Sequence, residues 1–177
     1  ILIHFHPFLH PFSPDLGLLL LVASIIRAHS SGCSLVALAW VALWSATPPG
    51  PMPEALAALQ SDAQVEVHTD PWLAFQPAGA EPTIGFILYP GGRVDYRAYA
   101  PAARALAEQG YLAVIVPMPI NLAILGSGRA AEVMKAYSDV ERWAIGGHSL
   151  GGAMAARFAY QNSSAVQGLV LWAAYPV

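Results

Sequence analysis

A serine placed between two glycines is the residue of this sequence best suited to nucleophilic chemistry. Residues 147–151 read Gly-His-Ser-Leu-Gly, so that Gly147 and Gly151 stand two positions before and after Ser149. The apolar residues 143–146 predict a buried strand, and the small residues that follow the motif predict a helix. A serine at the apex of so sharp a turn has a strained backbone, and its close neighbours leave no room for a Cβ. The spacing therefore predicts that Ser149 is a nucleophile.

Phosphate-binding loops and an incidental serine are the alternatives for this turn. Residues 146–151 have the glycine spacing of a P-loop, but Gly152 stands where the lysine should be. A dinucleotide-binding loop fits no better, because Ser149 replaces its middle glycine and the next strand ends without an acidic residue for a ribose hydroxyl. A plain strand-to-helix turn with an incidental serine is the remaining alternative. Of these interpretations we adopt the one in which Ser149 is a nucleophile.

Alternating strands and helices surround this serine. Continuous apolar runs predict buried strands, and apolar residues at helical spacing predict the helices between them. In chain order the sequence predicts a strand at 84–89, a helix at 99–106, a strand at 111–116, a helix at 129–137, the strand and helix on either side of Ser149, and a strand at 166–173. Upstream, residues 65–69 and 72–75 predict an antiparallel hairpin at a sheet edge. The order predicts an α/β fold with a doubly wound, mostly parallel sheet.

Composition and charge argue against several classes of function. The chain has 177 residues, of which 11% are charged, and a formal net charge of −3. The charges are scattered, so no basic face predicts nucleic-acid binding. The single cysteine, Cys33, cannot form an intrachain disulfide, and no basic neighbour would make it a thiolate. We expect no metal or other cofactor, since His4, His6 and His10 lack a second set of ligands.

An apolar extension at residues 16–46 follows a proline-broken leader at residues 1–15, which we expect to be disordered. Three interpretations of the extension are open. A single transmembrane helix centred on residues 34–45, with Arg27 on its flank, would leave the rest of the chain outside the cytoplasm. A cleaved signal peptide would make the protein secreted, and a buried pair of helices would be hard for a small domain to cover. We expect membrane anchoring, with the folded domain outside the cytoplasm.

A proline-rich stretch separates this extension from the rest of the chain. Residues 47–53 contain four prolines and predict a stiff, extended linker. The folded domain is therefore expected at residues 54–177.

Residues 63–177 resemble the amino-terminal half of an α/β-hydrolase. The resemblance rests on Tyr-Pro-Gly-Gly at residues 89–92, on Gly-His-Ser-Leu-Gly-Gly at residues 147–152, and on the order of the strands around them. It covers about two thirds of the chain and is nearest to small families with dienelactone-hydrolase-like and lipase-like members. The serine motif is typical of the superfamily and says little about the substrate.

This resemblance implies a role for each motif. Ser149 would attack an acyl carbonyl and form an acyl-enzyme. Two backbone N–H groups would hold the oxyanion, one from Leu150 at the start of a helix and the other from the loop after residues 84–89. In that loop Gly92 is the first choice and Arg93 the alternative. The implied substrate is a small molecule with a carboxylic ester or related acyl bond, and no cofactor is implied.

The sequence departs from the family where the rest of the catalytic triad should be. In this fold an acid and then a histidine follow the serine, yet no Asp, Glu or His occurs after Ser149. Asp95, Asp139 and His68 precede the serine on the wrong elements, and His148 should point away from its hydroxyl. We expect a hydrolase fold truncated after about its sixth strand, with little or no turnover as these 177 residues. A catalytically dead homologue is the alternative.

Together these patterns favour a serine hydrolase of the esterase or lipase kind. A non-catalytic binding or scaffold domain on the same fold is the first alternative, and an acyltransferase that shares the acyl-enzyme is the second. An Asp or Glu followed by a His further along the chain would favour an enzyme, and transfer of the acyl group to an alcohol would favour the transferase.

Overall fold

A six-stranded mixed sheet forms the centre of the protein in a computed structural model, which describes the backbone of residues 31–176 and the side chains from Leu35 onward. The strands are β1 Val65–His68, β2 Leu73–Pro77, β3 Ile84–Tyr89, β4 Leu112–Ile115, β5 Arg142–His148 and β6 Val166–Trp172. Their order in the sheet is β1-β2-β4-β3-β5-β6. From β4 to β6 neighbouring strands are parallel, and β1 and β2 are antiparallel to their neighbours. The predicted α/β class with a mostly parallel sheet is confirmed.

Helices connect the parallel strands, as the alternation of patterns predicts. The α-helices in the described residues are α1 Ser31–Ala46, α2 Pro53–Ala57, α3 Ala100–Glu108, α4 Ala130–Ala136 and α5 Leu150–Gln161. Short 3-10 segments lie at Tyr96–Tyr99, Pro119–Asn121 and Ala123–Leu125. Helix α3 joins β3 to β4, α4 joins β4 to β5, and α5 joins β5 to β6.

The central strands are apolar throughout because both faces of the sheet are covered. Ile87 of β3 packs in a buried cluster with α4 and α5, whereas the next residue, Leu88, packs in a second cluster with α3. Val114 and Ile115 of β4 divide between the two clusters in the same way. Successive side chains of a strand point to opposite faces, so a strand with a helix on each side needs apolar residues at every position. Burial of each such side chain contributes about 1.5–3 kcal/mol.

The predicted edge hairpin is also confirmed. Strands β1 and β2 pair antiparallel, with Val67 opposite Phe75, and β1 is the outermost strand on that side. Val65, Leu73 and Phe75 are fully buried, so the alternating pattern of the hairpin places its apolar side chains in the core.

The predicted membrane anchor is contradicted. The described part of helix α1 is Ser31–Ala46. In the part of the chain that the structure describes, no helix is long and apolar enough to cross a membrane. The carboxyl end of α1 instead contacts the folded domain, where Ser45 is buried. The predicted leader at residues 1–15 and the first half of the extension, 16–30, lie outside the described residues.

Candidate active site

Ser149 lies on a sharp turn between β5 and α5. Its backbone has φ 50° and ψ −121°, a conformation that side-chain-bearing residues rarely adopt and that costs ~1–3 kcal/mol. Main-chain hydrogen bonds hold it there: the N–H of Ser149 donates to the carbonyl of Trp172 (2.9 Å), and its carbonyl accepts from the N–H of Ala153 (3.1 Å). The side chain of Ser149 is exposed. The turn therefore presents a hydroxyl on a strained and firmly held backbone.

The glycines around Ser149 are required by close main-chain contacts. A Cβ on Gly147 would lie 2.4 Å from the carbonyl carbon of Gly151, and a Cβ on Gly151 would lie 2.2 Å from the carbonyl oxygen of Tyr89. Backbone atoms cannot move aside as a flexible side chain can. Gly152 also has no room for a side chain, since its Cβ would lie 2.4 Å from the Cβ of Ala174. The start of α5 is thus packed against the ends of β3 and β5.

The glycine-rich loop after β3 lies beside this turn. Because β3 and β5 are neighbouring parallel strands with Tyr89 opposite Gly147, the loops that follow them emerge at the same edge of the sheet. A Cβ on Gly91 would lie 2.5 Å from Nδ1 of His148, and a Cβ on Gly92 would lie 3.3 Å from the Leu150 side chain. The structure therefore brings together all the residues that the sequence singled out, which are Gly92, Arg93, Gly147, Ser149, Leu150 and Gly151.

The backbone N–H groups at this edge are not equally available. Leu150 is the first residue of α5, so its N–H has no partner inside the helix. The N–H of Arg93, by contrast, donates to the carbonyl of Asn121 at 2.9 Å. Among the hydrogen bonds of residues 31–176, none uses the N–H of Gly92. Of the two alternatives in the loop, Gly92 is the one with a free donor.

A buried tyrosine links the loop to the turn. The N–H of Gly91 donates to the Tyr99 hydroxyl (3.0 Å), and that hydroxyl lies 3.0 Å from Nδ1 of His148. Burial raises the pKa of Tyr99 to about 12, so the hydroxyl keeps its proton at neutral pH. Burial also lowers the pKa of His148. Trp172 packs edge-on against both rings, at 5.8 and 5.7 Å between centroids.

No general base for Ser149 lies among the described residues. His148 is engaged by Tyr99, and His68 is on β1, four strands away from β5 in the sheet. Asp95 accepts hydrogen bonds from Arg97, which lower the pKa of its carboxyl. Asp139 precedes β5 and so lies at the opposite end of that strand from Ser149. Within residues 31–176 no side chain forms a hydrogen bond with the Ser149 hydroxyl.

Two residues near the site make contacts that the sequence did not predict. The Tyr89 hydroxyl donates to the carbonyl of Ser127 (2.7 Å) and accepts from the N–H of Ala130 (2.9 Å), which ties the start of α4 to the end of β3. The carbonyl of Asn121 accepts the N–H of Arg93. In both cases the functional group meets its partner only after distant segments fold together, so no local pattern could have revealed it.

A shallow apolar depression elsewhere on the sheet is separate from this site. It is lined mainly by the starts of β3, β5 and β6, including Ile84, Trp143 and Gly168. Ser149 follows the other end of β5, about 20 Å away along the strand. The candidate site residues Gly92 and Ser149 therefore lie at the carboxyl edge of the sheet, away from this depression.

Comparison with known proteins found a matching family model and several similar structures. The family model described as the alpha/beta hydrolase family matches residues 85–177. A metagenomic hormone-sensitive lipase structure is similar over 94% of this chain and 58% of its own, with 16% identity and a TM-score of 0.51. A bacterial heroin esterase matches over 69% of this chain and 48% of its own, with 20% identity and a TM-score of 0.48. No curated protein matches the sequence.

A probable hydrolytic enzyme from Pseudomonas aeruginosa is a third similar structure, with 19% identity and a TM-score of 0.47 over 61% of this chain and 40% of its own. The chain thus spans between 40% and 58% of the length of these three structures. The lipase structure, with a TM-score of 0.51, shows a shared fold, and an identity of 16% leaves the substrate open.

Proposed function

Because the chain belongs to the α/β-hydrolase family, we propose that it forms the nucleophile half of a serine hydrolase that cleaves a carboxylic ester or a related acyl bond. One observation carries the proposal. Ser149 is strained and exposed, Leu150 follows it in the chain, and Gly92 lies against the Leu150 side chain; the main-chain N–H groups of Leu150 and Gly92 have no acceptor within residues 31–176. A nucleophile beside two free donors is the minimum arrangement that acyl transfer requires.

In the proposed reaction the Ser149 oxygen attacks the acyl carbonyl carbon while its proton passes to a base. The carbonyl oxygen becomes an oxyanion, and the N–H groups of Leu150 and Gly92 donate to it. Collapse of this intermediate expels the alcohol, which takes up the proton, and leaves an acyl-enzyme on Ser149. Water then repeats the sequence and releases the carboxylic acid.

The two donors would supply much of the rate. Removal of one oxyanion donor typically costs about 3 kcal/mol, or a factor of 10²–10³ in kcat. Leu150 adds the positive end of the α5 dipole, since it is the first residue of that 12-residue helix. The base and the acid that orients it would come from outside residues 31–176, because the described histidines and carboxylates are engaged or distant.

A fluorophosphonate probe tests the proposal directly, since it reacts with a serine activated by a base and an oxyanion hole. In the full-length protein we expect Ser149 to be labelled, and we expect Ser149→Ala to abolish the labelling. Ser163→Ala, which removes an exposed hydroxyl after α5, is the matched control and should label normally. Labelling that persists in Ser149→Ala, or a folded wild-type protein that never labels, would contradict the proposal.

A non-catalytic binding or scaffold domain is the second candidate. The observation that favours it is that no side chain within residues 31–176 forms a hydrogen bond with the Ser149 hydroxyl. Folded but unlabelled full-length protein is the result expected of such a domain.

A further inference from the structure

The carboxyl end of α1 and the loop that carries Gly92 are joined by a closed ring of contacts. Nε of Arg93 donates to the carbonyl of Trp44 (2.9 Å), and the guanidinium lies 4.0 Å from the centroid of the Trp44 ring. The side-chain amide of Asn121 donates to the carbonyl of Ser45 (3.0 Å). The carbonyl of Asn121 accepts the N–H of Arg93, which closes the ring.

The turn inside this ring has an unusual residue at its critical position. The N–H of Val94 donates to the carbonyl of Gly91 (3.2 Å), so residues 91–94 form a β-turn with Arg93 third. Arg93 has φ 58°, a left-handed value that this position of a type II turn requires and that glycine or asparagine normally supplies. An arginine therefore occupies a position where the local backbone favours glycine.

The chemistry of α1 explains why an arginine can be held there. The carbonyls of the last turn of a helix lack partners inside the helix and carry partial negative charge. A guanidinium that donates to one of these carbonyls is favoured by the dipole, and the face of an indole attracts the same cation. The side chain and the main chain of Arg93 are thus each bound, which fixes its backbone conformation from two directions.

The β-turn at residues 91–94 sets the direction of the Gly92 N–H. The peptide between Gly91 and Gly92 is planar, so its N–H points opposite to its carbonyl, which faces the N–H of Val94. If Arg93 left the left-handed region, the peptide between Gly92 and Arg93 would flip, and the N–H of Arg93 would turn away from the carbonyl of Asn121. The loop that carries the Gly92 N–H would then lose this attachment to the rest of the molecule.

We propose that Arg93 is a positioning residue, and that its binding to the end of α1 through Trp44 aims the Gly92 N–H at the oxyanion. The inference rests on the proposed function of Ser149 and Gly92. It assigns α1 a part in the site: this helix braces the loop through its last turn. Arg93 itself does not touch the substrate in this proposal.

Two variants separate the side-chain contact from the loop sequence. Trp44→Ala leaves residues 91–94 unchanged and removes the ring beneath the guanidinium, whereas Arg93→Gly keeps the left-handed conformation accessible and removes the whole side chain. In the full-length protein we expect the fluorophosphonate labelling rate of Ser149 to fall about threefold in Trp44→Ala and at least tenfold in Arg93→Gly. The double variant should label no more slowly than Arg93→Gly, because both changes break one linkage.

The matched control is Leu43→Ala, a neighbour of Trp44 on α1 whose side chain is 66% exposed. It should label at the wild-type rate. Trp44→Phe keeps an aromatic face and should recover most of the rate. With an ester substrate the loss should appear in kcat, with KM changed less than twofold, since oxyanion donors act in the transition state. Labelling of both Trp44→Ala and Arg93→Gly within twofold of wild type would overturn the proposal.

Hydrogen exchange distinguishes failure of this inference from failure of the proposed function. If wild-type Ser149 is never labelled, the proposed function fails, and exchange still tests whether α1 holds the loop. Trp44→Ala should then speed exchange of the Arg93 and Val94 amides at least fivefold, with no change in β5. Unchanged exchange at these two amides would overturn the role of α1 even in an active enzyme.

Discussion

The two main-chain segments that meet at the site are held in different ways. The turn at Ser149 is held by its own backbone and by glycines that allow β3, β5 and α5 to pack without side chains between them. The loop at residues 91–94 is held by side chains, those of Tyr99 and Arg93, together with the carbonyl of Asn121. Both segments contain a left-handed residue that is not glycine, Ser149 in one and Arg93 in the other. The comparison indicates that backbone packing holds the Ser149 turn, whereas side-chain hydrogen bonds and the carbonyl of Asn121 hold the loop with Gly92.

The largest expected effect comes from a methyl group added to the turn. In Gly151→Ala the new Cβ would meet the carbonyl oxygens of Tyr89 (2.2 Å) and Pro90 (2.3 Å), which belong to the backbone and cannot give way. We expect the free energy of unfolding to fall by about 3 kcal/mol or more, measured by urea denaturation. Gly128→Ala, where a Cβ meets nothing within 4 Å, is the control and should change it little. Equal stability of the two variants would mean that the turn is not held by backbone contact.

The next effect tests the side chains that hold the loop. Tyr99→Phe leaves the buried N–H of Gly91 without an acceptor and removes the hydroxyl that forms a hydrogen bond with His148. We expect a loss of about 1–3 kcal/mol in the free energy of unfolding, the usual cost of an unsatisfied buried polar group. Tyr160→Phe, at an 86% exposed position, should be neutral. A Tyr99→Phe protein as stable as Tyr160→Phe would show that the loop does not depend on this hydroxyl.

A gain in stability is expected when the strain at the nucleophile is removed. Ser149→Gly allows φ 50° and ψ −121° without a Cβ, so we expect unfolding to cost about 1 kcal/mol more, together with complete loss of labelling. Ser149→Ala removes the same hydroxyl and keeps the Cβ, so its thermal unfolding should match that of the wild type. If the glycine variant were no more stable than the alanine variant, the turn would not store backbone strain.

The smallest effect concerns pH and His148, which touches both segments. Burial lowers the pKa of His148 from its ordinary value of 6.5, so the unfolded chain binds a proton at a higher pH than the folded protein does. Stability from this group is therefore complete above about pH 6.5 and declines as pH falls toward the lowered pKa. We expect the melting temperature of the wild type to drop more between pH 7.5 and 5 than that of His148→Gln. Parallel curves for the two proteins would contradict this account.

Much of the fold and half of the site could be predicted from local sequence. Strand β3 and helix α5 are recognisable because apolar runs and helical spacing reflect burial that each element needs wherever it packs. Gly147 and Gly151 are recognisable because the contacts that exclude a Cβ arise within a few residues and at the adjoining strand end. The sequence ranked Gly92 before Arg93 as the second donor, but the observation that separates the two, the Asn121 carbonyl bound to the Arg93 N–H, could not be predicted in this way.

The apolar stretch before the folded domain shows the limit of composition as evidence. Hydropathy predicted that residues 16–46 anchor the chain in a membrane, yet no helix in the described part of the chain is long and apolar enough to cross one. The carboxyl end of α1 binds the folded domain through Trp44 and Ser45. These contacts are two hydrogen bonds and a cation–π contact, which apolar content does not predict.

By itself the sequence determined the α/β order of elements, the hairpin at the edge and the sharp serine turn, because each leaves a local pattern of apolar residues and glycines along the chain. The tertiary structure decided which main-chain N–H groups lack an acceptor within residues 31–176, what His148 contacts and where the carboxyl end of α1 binds. Those contacts join residues 49 apart, as in Arg93 with Trp44 and His148 with Tyr99, or 76 apart, as in Asn121 with Ser45. Hydrogen bonds and cation–π contacts of this kind depend on positions in space, which no spacing along the chain encodes.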